Sequence, residues 1–299
     1  MALLIITTIL WAFSFSFYGE YLAGHVDSYF AVLVRVGLAA LVFLPFLRTR
    51  GNSLKTVGLY MLVGAMQLGI MYLLAFRAYI YLTVSEFLLF TVFTPLYITL
   101  IYDLLSGRKL RWGYLLSAAL AVLGAAIIRY DKVSDHFWTG LLLVQLSNLC
   151  FAIGMVGYKR LMEVRPMPQH NAFAWFYVGA FIVAVAAWFM LGNAQKLPTT
   201  TLQWSVLVWL GVVASGLGYF MWNYGATQVD AGTLGIMNNV HVPAGLLVNL
   251  AIWQEQPHWP SFISGALVIL ASLWVHRRWV APHSGQTADD RRRGSAQSE

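Results

Sequence analysis

The chain has 299 residues, of which 59% are hydrophobic and only 10% charged, and its mean hydropathy is +0.67. Soluble domains carry about 25% charged residues, so this balance, with repeated apolar runs of about 18 residues or more, excludes a soluble protein and predicts a polytopic helical membrane protein. The net charge of +7 does not point to nucleic acid, because the basic residues cluster in short loops and at the C-terminus, where they orient membrane spans.

The apolar runs predict ten spans, at about 2–18, 29–47, 57–76, 82–102, 112–128, 138–157, 172–191, 203–223, 232–252 and 260–276. The first begins at Ala2 without a basic n-region and reads as a retained span rather than a signal peptide. It carries Thr7, Trp11, Ser14 and Tyr18 on one helical face. Span 2, SYFAVLVRVGLAALVFLP, holds Arg35 in its outer third. Arginine stays charged and matches a carboxylate in bidentate geometry, so Arg35 either holds an anionic substrate or pairs internally with Glu86. Arg77, near the end of span 3, is a weaker anion ligand, since it can snorkel to the interface.

Span 4 contains Glu86 and then Pro95, where a helix should continue. At helical spacing Glu86 shares a face with Thr83, Phe90, Thr94 and Tyr97. An acid in a span is costly unless it faces a cavity or a partner, which makes Glu86 a candidate for proton coupling, against simple hydration near the interface. Span 6 offers Gln145 and Asn148, and span 8 offers Ser215, Tyr219, Trp222 and Asn223. Span 9 carries Asn238, Asn239, His241 and Asn249 around Pro243. Neutral amides suit a urea-like group and histidine can move protons; interhelical hydrogen bonding is the plainer alternative. Aromatic walls with a few polar groups suit a partly apolar small molecule.

Metal and cofactor chemistry is not expected. Cys150 is the single cysteine, the histidines do not cluster at ligand spacing, and no Walker A, HExxH or GxSxG sequence occurs. Counting Lys and Arg in alternate loops gives 14 on one side and 4 on the other. The rich side faces the cytoplasm, with both termini inside.

Pro95 and Pro243 stand 148 residues apart. Aligning them pairs span 3 with span 8 and span 4 with span 9, and near that offset SAALAVLGAAII (117–128) lies over SGALVILASLWV (264–275). Five spans per copy is an odd number, so the second copy enters from the opposite side, an inverted-repeat plan used by secondary transporters. The expected fold is thus an all-α integral membrane protein of ten transmembrane helices in two inverted five-helix repeats. The repeats cover 1–130 and 131–278, and a disordered cytoplasmic tail covers 279–299.

Ten spans in two repeats, Arg35 followed by Val-Gly-Leu-Ala-Ala, and the two prolines resemble the drug/metabolite transporter superfamily, EamA-type branch, over about residues 2–277. TVSEFLLFTVFTPLYITLIYD, RPMPQHNAFAWFY and YGATQVDAGTLGIMNNVHVPAGLLVNLAIW look very like the biotin-importing members of its carboxylate/amino acid/amine branch. That resemblance implies biotin uptake across the bacterial inner membrane by alternating access, with the lipid bilayer and a small carboxylate or amine as partners and no ATPase. Under it, Arg35 or Arg77 takes the carboxylate, Asn238, Asn239 or Asn148 the ureido group, and Trp11, Tyr72, Tyr219 or Trp222 the apolar body, with His241 beside them. Two alternatives stay open at this point. One is a metabolite exporter of the same family; the other is an intramembrane enzyme, which the sparse acids disfavour.

Overall fold

The computed structural model describes residues 1–49, 51–82, 84–105, 107, 112–128, 137–253 and 259–275. The predicted tail 279–299, Thr83 and the loop cations Arg50, Arg108, Lys109, Arg111, Arg129 and Lys132 lie outside the described residues.

The helices, in chain order, are α1 (Ala2–Tyr21), α2 (Ser28–Phe43, continued by a 3-10 turn Leu44–Phe46) and α3 (Leu54–Ala78). Next come α4, in two pieces (Val84–Phe90 and Thr94–Leu105), α5 (Trp112–Ile128), α6 (Phe137–Val164) and α7 (Gln169–Leu191). Last are α8 (Thr201–Ala226), α9 (Ala231–Trp253) and α10 (Trp259–Val275). Seven of them (α1, α2, α3, α6, α7, α8 and α9) are long and apolar enough to cross a membrane. The chain is therefore an all-helical, multi-pass membrane protein, with no strand among the described residues.

Three helices depart from regular α geometry. A π-helical segment, Ala65–Ile70, interrupts α3, and another, Leu210–Leu217, interrupts α8. In α4 the 3-10 turn Thr91–Phe93 precedes Pro95. Proline has no N–H, and the Thr91 carbonyl accepts instead from the Thr94 backbone N–H and from Thr94 Oγ1 at 2.7 Å. The Phe90 carbonyl accepts from Gln145 Nε2 at 2.8 Å and Asn148 Nδ2 at 2.9 Å. Buried carbonyls freed at membrane depth are thus met by side chains, as a lipid-surrounded backbone requires. Pro243, in contrast, sits inside an α9 that stays helical throughout.

The main packings are α2 and α3 on α7, α2 on α8, α1 on α9, α4 on α6, and α5 on α10. Asp27 ties one end, accepting from Phe30 N–H at 2.9 Å and Asn193 N–H at 3.2 Å. At the opposite end, Lys159 Nζ donates to the carbonyls of Ala226 at 3.1 Å and Val229 at 2.9 Å, while Tyr60 Oη donates to the Arg165 carbonyl at 3.0 Å.

Helices α3 and α7 approach through glycine on both sides. A Cβ at Gly64 would collide with the Phe176 carbonyl, and one at Gly179 with the Met61 carbonyl. Small residues at such crossings allow the backbone contact that drives helix association in lipid. Gly179→Val is expected to cost roughly 1–3 kcal/mol by overpacking, read as a lower melting temperature and less folded protein extracted from membranes.

Candidate functional site

Residues from α1, α2, α3, α4, α6, α8 and α9 enclose a cavity of about 630 Å³, its open mouth included. Among the described residues, α5, α7 and α10 contribute nothing to its wall.

Among the described residues Arg35 is its one charged lining residue. Arg35 as a whole is 3% exposed. Its Nε–H donates to Ser215 Oγ at 2.6 Å and its Nη2–H to Ser14 Oγ at 2.8 Å. Of the five N–H donors a guanidinium carries, three remain for a ligand. Its Cζ lies 4.4 Å from the centre of the Tyr72 ring and 5.4 Å from that of Phe76, so aromatic faces offset part of its burial. Among the described residues no carboxylate pairs with it.

Ser215 belongs to the π segment of α8, which several helices grip. Ser215 Oγ shares a 2.9 Å hydrogen bond with Tyr72 Oη. Trp11 Nε1–H donates to the Ala214 carbonyl at 3.0 Å, and Tyr177 Oη–H to the carbonyls of Ser215 at 2.6 Å and Gly216 at 2.9 Å. A π turn leaves main-chain carbonyls out of regular register, which is one reason such turns recur at functional sites.

From Arg35 an aromatic wall runs across the cavity. Tyr72 meets Phe76 at 5.0 Å between centroids, and Phe76 stacks on Tyr18 at 3.8 Å. Tyr18 meets Tyr79 at 5.1 Å, and Tyr79 stacks on Phe87 at 4.4 Å. Phe87 meets Phe15 at 5.8 Å, and Phe15 meets the His241 ring at 5.2 Å. A second branch leaves Tyr72 for Tyr219 at 5.7 Å and continues to Trp11 at 4.7 Å.

The far end of the wall is polar and neutral. Thr91 Oγ1 donates to the Leu88 carbonyl at 2.7 Å and lies 3.3 Å from His241 Nε2. Asn238 lies one turn away in the same wall. The cavity thus joins a cation at one end, an aromatic body, and neutral amide and imidazole groups at the other.

Of the residues the sequence suggested, the structure brings Trp11, Arg35, Tyr72, Asn148, Tyr219, Asn238 and His241 together in this wall. Asn148 already donates an N–H to Phe90. Trp222 is buried behind Trp11, with ring centroids 4.9 Å apart, and Asn239 is buried away from the cavity. Arg77 is exposed, and Glu86 is buried in the first piece of α4 without lining the cavity. The predicted face joining Glu86 to Thr94 is twisted apart by the 3-10 turn, whose three residues per turn break the 3.6-residue register. Phe87, Thr91 and Thr94 line the cavity instead. The internal Arg35–Glu86 pairing is therefore not formed.

Sequence reasoning passed over Phe15, Phe76, Tyr79 and Phe87, whose apolar surroundings hide them. It also gave no role to Gln67. Yet Ser215 follows Gln67 by 148 residues, the offset of the two prolines, and both lie in π segments.

The profile of the EamA-like transporter family matches the chain twice, over residues 1–130 and 138–277. The chain belongs to the EamA-like transporter family. It is a transporter, and the intramembrane-enzyme alternative falls away. It is 86% identical over 299 residues, covering 100% of both chains, to a protein of Escherichia coli (strain K12) named biotin transporter. It is 55% identical over 279 residues to a probable biotin transporter of Pseudomonas aeruginosa, covering 93% of this chain and 97% of that one. A solved crystal structure of a protein 17% identical in sequence superposes with a TM-score of 0.72, covering 92% of this chain and 95% of that one; it shares the fold.

Ser215→Ala removes the acceptor of Arg35 Nε and the partner of Tyr72. Leaving buried polar groups unpaired costs about 1–3 kcal/mol, expected as a lower melting temperature of the detergent-purified protein.

Proposed function

We propose that this protein imports biotin across the bacterial inner membrane as a secondary transporter, working by alternating access and without an ATPase partner. The observation that carries the reading is Arg35, a buried side chain with free N–H donors and no carboxylate paired with it among the described residues, at one end of an aromatic-walled cavity. Biotin has an aliphatic carboxylate, a sulfur-containing ring and a ureido group. In this reading Arg35 takes the carboxylate, the rings of Trp11, Tyr72 and Tyr219 hold the apolar body, and Asn238 with His241 meets the ureido group. The two relatives named for biotin support the substrate.

The architecture behind this function is read as ten spans in two inverted five-helix repeats, 1–130 and 131–278, with both termini and the Lys159 end in the cytoplasm. Three observations support it. The family profile matches twice. The π segments of α3 and α8 share one offset in sequence. The packings also exchange under the repeat, α3 on α7 answering α8 on α2, and α1 on α9 answering α6 on α4.

Arg35→Gln is expected to raise the KM for labelled biotin uptake roughly a hundredfold at unchanged membrane levels, and Arg35→Lys, which keeps charge but loses the fork, roughly tenfold. Unchanged uptake in Arg35→Gln contradicts the assignment. Glu86 is assigned to proton coupling. Uptake into vesicles is expected to rise with an inward proton gradient, and to lose that response in Glu86→Gln.

A further inference from the structure

Gln67 and Asn223 form a reciprocal amide pair, and both are fully buried. Gln67 Nε2 donates to Asn223 Oδ1 at 3.0 Å, and Asn223 Nδ2 donates to Gln67 Oε1 at 3.1 Å. The pair joins α3 to α8, which also meet in the cavity wall through Tyr72 with Ser215 and Tyr219. Gln67 sits in the π segment of α3, and Asn223 lies six residues past the π segment of α8.

The position along each helix fixes which side of the cavity the pair occupies. On α3 every cavity residue, from Met71 onward, follows Gln67; on α8 the cavity residue Tyr219 precedes Asn223. Asn223 lies toward Ala226, whose carbonyl is held by Lys159. The pair is therefore beyond the cavity floor, at the Lys159 end. There it is backed by Trp222, whose Nε1–H donates to Met155 Sδ at 3.0 Å. Around the cavity's other end, at Tyr18, Phe76, Tyr79 and Phe87, the contacts are ring on ring.

Complementary amides suit a joint that must open. Unlike buried ions, they are neutral when parted, and each can turn to water; unlike an apolar pair, they close in one register. We propose that Gln67 and Asn223 are positioning residues of the transport step, forming the latch that keeps the Lys159 end shut and must part for substrate to leave there. This rests on the import reading above.

The test is Gln67→Cys with Asn223→Cys in a Cys150→Ser background, joined by a reducible bifunctional thiol cross-linker. Labelled biotin is measured both as uptake and as binding to purified protein. Cross-linking is expected to lower uptake roughly tenfold or more, reversibly on reduction, while binding stays within about twofold. Uptake at the uncross-linked rate by protein whose cross-link is verified by mass overturns the latch and leaves the import reading standing. Absence of biotin binding and uptake by the Cys150→Ser parent overturns the import reading itself. Should the double-cysteine protein fail to fold, Gln67→Asn alone is expected to slow uptake, and the swap Gln67→Asn with Asn223→Gln to restore it; a swap as slow as the single variant overturns the proposal.

Discussion

A guanidinium held in a low-dielectric interior without a carboxylate is the constraint on which the cavity depends. Burying an unpaired charge is expensive, and spans tolerate it where a function requires it. The chain lowers the cost without neutralising Arg35. Two serine hydroxyls accept from it, and two aromatic faces lie beside it. An internal carboxylate would have served stability better, but would have filled the position an anionic ligand needs. Ser14 and Ser215 are neutral acceptors that fix the guanidinium's plane and leave most of its donors free.

Irregular helix geometry makes this arrangement possible. The π segment of α8 brings Ser215 to Arg35 and Tyr72 while releasing carbonyls that Trp11 and Tyr177 take up. The 3-10 turn of α4 brings Thr91 to His241 and hands the Phe90 carbonyl to Gln145 and Asn148. In each place a main-chain group that lipid could not satisfy is met by a side chain from another helix. The site and the helix packing therefore rest on the same hydrogen bonds, and a change at one is felt at the other.

Much of this was legible in the sequence. Apolar runs and sparse charge gave the helical membrane class, and a lone arginine within a span drew attention to Arg35, which lines the cavity. The aromatic and polar residues at helical spacing gave Trp11, Tyr219, Asn238 and His241, and the family resemblance added Tyr72. What failed was arithmetic across irregular turns. Counting in threes and fours carried Glu86 onto the face of Thr94, whereas a 3-10 turn separates them. The π segments have no residue signature of their own, so Gln67 passed as one amide in an apolar run. Its partner Asn223 is 156 residues away, a pairing that only the three-dimensional packing reveals. Phe76, Tyr79 and Phe87 look like any core or lipid-facing aromatics until their neighbours are known.

The central claim is that Arg35 reads a carboxylate in this cavity. Titration calorimetry of the purified protein with biotin and with its uncharged methyl ester tests it directly, since the two ligands share the ring and the ureido head. The ester is expected to bind roughly a hundredfold more weakly, having lost the charge-assisted pair with the guanidinium. Equal affinity for acid and ester would contradict the account.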